Sequence, residues 1–207
     1  MKRINVGTVR EAKSAVAYLN CYGALAFDVE TTGLDPITDK MFACCIHNGT
    51  NSYYFTDKTI MEWVIKSLFF AHPLHLSDVA KRRLLVAHNA VFDISFAAAL
   101  VGIEYRLSRA IWCTKEMHRL ICSSTMKRSL DALAKLYNIG EKSKEVEDYI
   151  REHGLHDGTK HGRLKNPRFK DVPEEIMFKY CCIDTELCFK LFKEQYKKIR
   201  GMCEEAS

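Results

Sequence analysis

Asp28 and Glu30 close an apolar run, Ala24-Leu25-Ala26-Phe27-Asp28-Val29-Glu30, and a Thr31-Thr32-Gly33 turn follows. Side chains two apart in a strand point the same way. The two acids therefore share one face, and Leu25, Phe27 and Val29 share the other. Adjacent carboxylates at the end of a buried strand repel each other and are costly to desolvate unless positive charge sits between them. A divalent cation would supply that charge; the plainer alternative is a strand running out into solvent. Two further acids stand in informative places. Asp93 lies in Ala87-His88-Asn89-Ala90-Val91-Phe92-Asp93, just past a short apolar strand, where it could instead face the macrodipole in the first turn of a helix capped by Asn89. Asp184 borders the apolar stripe Ile176, Tyr180, Ile183, Leu187 and Leu191 of a long helix, one turn beyond Tyr180. An acid beside a buried face is the kind of exception that signals either a site or a single satisfied partner.

The elements that must position these residues follow from periodicity and punctuation. Thr8-Val9-Arg10-Glu11 is a capping box, predicting a helix to about residue 21. The strand ending at Glu30 comes next. Asn48-Gly49 then joins two apolar runs, 41–47 and 51–55, as a hairpin. Helices are predicted over about 59–70, 90–100, 114–122, 129–137 and 173–200, with short strands at 84–87 and 110–113. Three strands followed by alternating strands and helices imply a mixed sheet covered by helices. Residues 152–171 differ: they are rich in Gly, His, Lys and Arg, contain Asn166-Pro167, and read as a long basic loop.

Composition narrows the class. The chain has 207 residues, 47% of them hydrophobic, and a formal net charge of +5, compatible with an anionic partner. Its nine cysteines are odd in number, include the adjacent pairs Cys44-Cys45 and Cys181-Cys182, and form no C-x-x-C. They read as buried thiols of an intracellular, reducing compartment rather than a disulfide scaffold. The first residues lack the apolar core of a signal peptide, and no uncharged run is long enough to span a bilayer, so no membrane partner is expected.

Taken together, Asp28, Glu30, Asp93 and Asp184, with Tyr180, resemble the DEDD superfamily of 3′–5′ exonucleases in its tyrosine subgroup. The three motifs occur in the family's order: Phe27-Asp28-Val29-Glu30-Thr31-Thr32-Gly33, Asn89-Ala90-Val91-Phe92-Asp93 and Tyr180-Cys181-Cys182-Ile183-Asp184. Lys179 stands where the histidine subgroup would need His. The likeness is to the proofreading exonuclease domain of family-A DNA polymerases, phage forms included.

The resemblance implies an α/β fold of the ribonuclease H-like kind, a five-stranded mixed sheet flanked by helices. It makes residues 1–207 one exonuclease domain with a core of about 24–197. It implies two divalent ions, Mg²⁺ or Mn²⁺, held by Asp28, Glu30, Asp93 and Asp184, with Asp28 shared between them. Two such ions suit phosphodiester hydrolysis and oxygen ligands. Tyr180, with a reference pKa of about 10, suits orienting the attacking water better than acting as a base. Thr31 and Leu34 are implied to meet the terminal nucleotide, and Asn89 and Phe92 the penultimate one. A turn hydrogen bond (Thr31) and core packing (Leu34, Phe92) are their plainer roles. The basic loop, with Lys160, His161, Arg163, Lys165, Arg168 and Lys170, could track a phosphate backbone. The expected activity is release of nucleoside 5′-monophosphates from single-stranded or frayed DNA 3′ ends. A DNA polymerase or other replication protein is the implied partner. The alternatives are an RNA-trimming exonuclease and a non-catalytic nucleic-acid or replisome docking module on the same fold.

Overall fold

The computed structural model describes residues 1–71, 83–102, 105–122 and 127–205. In chain order the elements are β1 (Lys2–Asn5), α1 (Val9–Leu19), β2 (Ala24–Thr31), β3 (Met41–His47), β4 (Asn51–Phe55), α2 (Lys58–Phe69), β5 (Phe70–Ala71), β6 (Leu84–Ala87) and α3 (Ala90–Val101). There follow β7 (Arg106–Leu107), β8 (Ala110–Cys113), α4 (Thr114–Ile121), α5 (Leu130–Leu136), α6 (Glu145–Glu152), β9 (Thr159–Lys160), β10 (Arg163–Leu164) and α7 (Glu174–Glu205).

The main sheet runs β1-β4-β3-β2-β6-β8. β2, β3 and β4 pair antiparallel, whereas β6 and β8 join β2 in parallel. These are the five expected strands. A sixth, β1, adds to the edge in parallel with β4. It escapes a sequence reading because Lys2-Arg3-Ile4-Asn5 is mostly exposed and shows no apolar alternation. Among the described residues no helix is long and apolar enough to cross a membrane.

Alternation along β2 divides the molecule into two layers. Leu25, Phe27 and Val29 enter a core shared with α1, α2 and α3, where the Phe27 and Phe69 rings lie 4.9 Å apart. Ala26, Asp28 and Glu30 face the other way, towards α7. Ala26 packs there with Val86, Cys188 and Phe192, and Cys45 and Tyr54 pack with Cys181, Cys182 and Met177. Both layers are apolar at their centres, and fully burying one such Leu or Phe contributes about 1.5–3 kcal/mol.

The expected stripe of α7 is buried at Leu187 and Leu191 but not along its whole length. Ile176, Tyr180 and Ile183 are only half-buried, whereas Met177, Cys181, Cys182, Asp184, Thr185 and Cys188 are buried. Thr185 fits there because its hydroxyl donates back to the carbonyl of Cys181. The helix therefore presents Asp184 inward rather than at a margin.

Candidate active site

The end of β2 is shaped by its turn. The β2–β3 register shifts between Glu30 and Thr31, and the Thr31 hydroxyl donates to the Gly33 carbonyl at 2.6 Å. Asp39 closes the loop by accepting from the Asp35 amide at 3.0 Å. A Cβ on Gly33 would lie 2.3 Å from that carboxylate, so only glycine fits without moving it. Asp28 and Glu30 are thereby left on the α7 face at the rim of the sheet.

A cleft of about 650 Å³ opens at this point, lined by Asp28, Glu30, Tyr180 and Asp184 together with His88, Asn89, Lys115, Arg128 and Lys142. Distant parts of the chain thus converge as expected for Asp28, Glu30, Asp184 and Tyr180. Asp93 sits just behind them. It is buried, and its Oδ1 accepts from the Val29 amide at 3.3 Å, on the strand residue between Asp28 and Glu30. Asn89 begins α3 in the left-handed region at φ 77°, makes no side-chain cap, and accepts from Lys115 Nζ at 3.1 Å.

Thr31, Leu34 and Phe92 lie instead in an adjoining cleft of about 1120 Å³, walled by Lys160, Arg163, Lys165 and Arg168. Val29 and Glu30 border both clefts. Leu34 is 85% exposed, not packed in a core. Phe92 packs on Phe96 with ring centroids 4.9 Å apart. The stretch expected as one basic loop contains the end of α6, the β9–β10 hairpin and a 3-10 turn, Phe169–Asp171.

The electrostatics are those of a crowded acidic site. Burial, then repulsion by Asp184, pushes the Asp28 carboxyl up to about 7. Burial and the Asp28 charge hold Glu30 and Asp93 well above the usual carboxylate range. Burial also raises Asp184, although Lys142 opposes the shift. Tyr180 is raised well above its usual value by burial and by Asp184, so it stands as a neutral phenol. Cys181 Sγ lies 3.5 Å from Glu30 Oε1 as a weak donor.

Several cleft residues have no signature in sequence. Lys142, on the segment between α5 and α6, lies 2.5 Å from Asp184 Oδ2 and donates to the Tyr180 hydroxyl at 3.0 Å. His88 sits 2.9 Å from the Thr114 hydroxyl and 3.0 Å from the Arg128 carbonyl. Burial lowers its pKa to about 4, so it is neutral and fastens the segment that carries Arg128 to the cleft wall. Lone loop cations such as Lys142 and Arg128 obey no period. Only the fold, which brings both to the cleft, marks them.

Among the described residues no three His, Cys, Asp or Glu side chains lie close enough together to hold an ion as they stand. The donor set nevertheless fits Mg²⁺ or Mn²⁺. It is all carboxylate oxygen, and Asp184 Oδ1 is buried without a hydrogen-bond partner.

Comparison with known proteins bears on what such a cleft does. A family model described as 3′–5′ exonuclease matches residues 4–200. DNA polymerase DpoZ of Salmonella phage PMBT28 is 32% identical over 187 residues, which cover 87% of this chain and 27% of that polymerase. The chain thus spans about a quarter of the length of that curated relative. Among solved structures, Brucella melitensis NrnC superposes with a TM-score of 0.63 at 16% identity, covering 97% of this chain and 82% of that one. A second NrnC structure carries bound Mg²⁺. Escherichia coli RNase D, titled an exoribonuclease involved in structured RNA processing, gives 0.65 at 11% identity, covering 95% of this chain and 45% of that one. At these identities the structures show a shared fold.

Proposed function

Because the chain belongs to the 3′–5′ exonuclease family and is a hydrolytic exonuclease, we propose that it shortens DNA from the 3′ end by a two-metal mechanism, releasing nucleoside 5′-monophosphates. The observation that carries this reading is the convergence of Asp28, Glu30 and Asp184 on one cleft with Tyr180, Asp93 lying directly behind. The family match and the presence of all four acids with Tyr180 favour catalysis over a docking module. The choice of DNA is supported by the phage polymerase relative.

In this reading Asp28, Glu30, Asp93 and Asp184 would hold the ions. When bound, the ions supply charge neutralisation at the scissile phosphate, a nucleophile at neutral pH and support for the leaving oxygen. The chain's own residues bind and orient. Tyr180, a phenol with its proton retained, donates a hydrogen bond that aims the attacking water. Leu34 stands exposed beside the cleft, where an apolar side chain can press on the terminal base. Thr31 and Phe92 flank the same path, Asn89 borders the acidic cleft it enters, and Lys160, Arg163 and Lys165 offer charge to the phosphates behind it. Residues 1–207 then act as one catalytic unit.

The test is a time course on single-stranded DNA labelled at its 5′ end and on a matched RNA, with Mg²⁺, with and without chelator. A ladder descending one nucleotide at a time, faster on DNA and abolished by chelator, is expected. Internal cleavage, or hydrolysis indifferent to chelator, would overturn the reading. Preference for RNA would favour the RNA-trimming alternative, which the RNase D likeness makes worth measuring.

A further inference from the structure

Among the described residues, Lys142 is the one side chain that answers the acidic crowding with an ion pair. Its ammonium lies 2.5 Å from Asp184 Oδ2, donates to the Tyr180 oxygen at 3.0 Å, and sits 4.8 Å from the Tyr180 ring centre. Among the described residues no other Lys or Arg forms an ion pair with the four acids. Arg128 reaches Glu116 instead, at 3.9 Å, and Lys115 is bonded to Asn89. The Asp184 side chain is 6% exposed and that of Lys142 26%, so the contact is shielded on the carboxylate side.

Geometry limits what this ammonium can do. Lysine only donates. The Tyr180 oxygen therefore accepts from Lys142, and its single proton is left for another acceptor. At Asp184, Oδ2 is taken by Lys142 while Oδ1 is buried with no partner. One carboxylate oxygen is thus covered by an internal cation, and the other is left open. An ion that needs both oxygens, or needs Asp184 turned towards Asp28, must first take Asp184 from Lys142.

We propose that Lys142 is a built-in stand-in cation: it pairs with Asp184 when no metal is present, yields Asp184 to an incoming divalent ion, and keeps hold of the Tyr180 oxygen. It is a positioning residue, acting through Asp184 and Tyr180. This inference rests on the assignment of Asp184 as a metal ligand. It also accounts for a buried carboxylate folding stably before any ion arrives, since an unpaired buried charge is strongly destabilising.

The experiment compares wild type with Lys142→Met, which keeps the apolar stem, Lys142→Arg, which keeps the charge, and Lys142→Gln, which keeps a donor without charge. Melting temperature is measured in chelator, and Mn²⁺ affinity is measured by calorimetry. Lys142→Met is expected to melt below wild type in chelator, and the deficit is expected to vanish in an Asp184→Asn background. It is also expected to bind Mn²⁺ roughly tenfold more tightly, because no pair has to be broken. Lys142→Arg should stay near wild type in both readings. If Lys142→Met does not fold, Lys142→Gln carries the same expectations.

Mn²⁺ affinity no tighter than wild type in the charge-removing variants overturns the proposal. So does a chelator deficit that persists with Asp184→Asn. A wild-type protein that binds no Mn²⁺, or binds it equally well as Asp28→Asn, overturns the metal reading itself and the stand-in with it. Tight wild-type binding with an indifferent Lys142 overturns the stand-in alone.

Discussion

Asp28 is held in a setting that disfavours its own charge, and this has a sign that can be measured. Its carboxyl is raised from 3.8 to about 7 in the fold, so between those values the native state binds the proton that the unfolded chain releases. Stability of metal-free protein should therefore fall as pH rises from about 4 to above 7, and be lowest where the site is fully ionised. Asp28→Asn removes that penalty. It is expected to raise the melting temperature in chelator at pH 8 by several degrees, on the order of 1–2 kcal/mol after allowance for partial exposure, while abolishing hydrolysis. An unchanged or lower melting temperature would contradict the repulsion argued for the cleft. Tyr180 and Asp184 should separate in kinetics. Tyr180→Phe loses one oriented hydrogen bond, roughly a 10²-fold effect on turnover, whereas Asp184→Ala removes an ion ligand and should cost more. Equal losses in single-turnover assays would require a different role for the phenol. At this scale the acids were readable because strand period and motif order place them. Lys142 was not, since its meaning lies wholly in the 2.5 Å contact with a residue 42 positions away.

Elements were readable where burial imposes a period. β2 alternates between two covered faces, and the capping box of α1 forms as written, with Thr8 accepting from the Glu11 amide. β1 and α6 were missed because each buries too little to show a period. β1 is an edge strand with little to bury, anchored by Arg3 Nε 2.8 Å from Glu186 Oε1 on α7. α6 buries only Val146 and Ile150 among acids and so shows too short a stripe. The shift of the α7 face towards Cys and Thr has a similar cause: small polar-looking side chains are what fit against the sheet where helix and strand approach closely. The loop after β2 offers a test that separates packing from chemistry. Leu34 buries almost nothing, so Leu34→Ala should leave stability within about 0.5 kcal/mol. It should nevertheless slow hydrolysis several-fold, and more at low substrate than at saturation. A variant with wild-type kinetics would remove Leu34 from the substrate path.

Across the whole molecule, the acidic cleft and the basic one share a wall, so a strand could lie with its end at Asp28 and its preceding phosphates along the β9–β10 hairpin. Changing Lys160, Arg163 and Lys165 together to Gln should weaken binding of single-stranded DNA and flatten its dependence on salt. If all three meet phosphates, the slope of log affinity against log salt should fall by about 2. A slope unchanged by the triple substitution would place the strand elsewhere. The fold class was legible from the order of strands and helices, but the second cleft was not, because it exists only once the hairpin folds over the β2 turn. Finally, α7 carries Asp184 and Tyr180 on the same 32-residue rod that packs against β2, β3, β4 and β6 as well as α4, α5 and α6. Scissors and spine are one piece. If the proposed site is right, a copy in which α7 has come away from the sheet would lose Asp184 and Tyr180 from the cleft together, so damage would yield an inert polypeptide rather than an indiscriminate one.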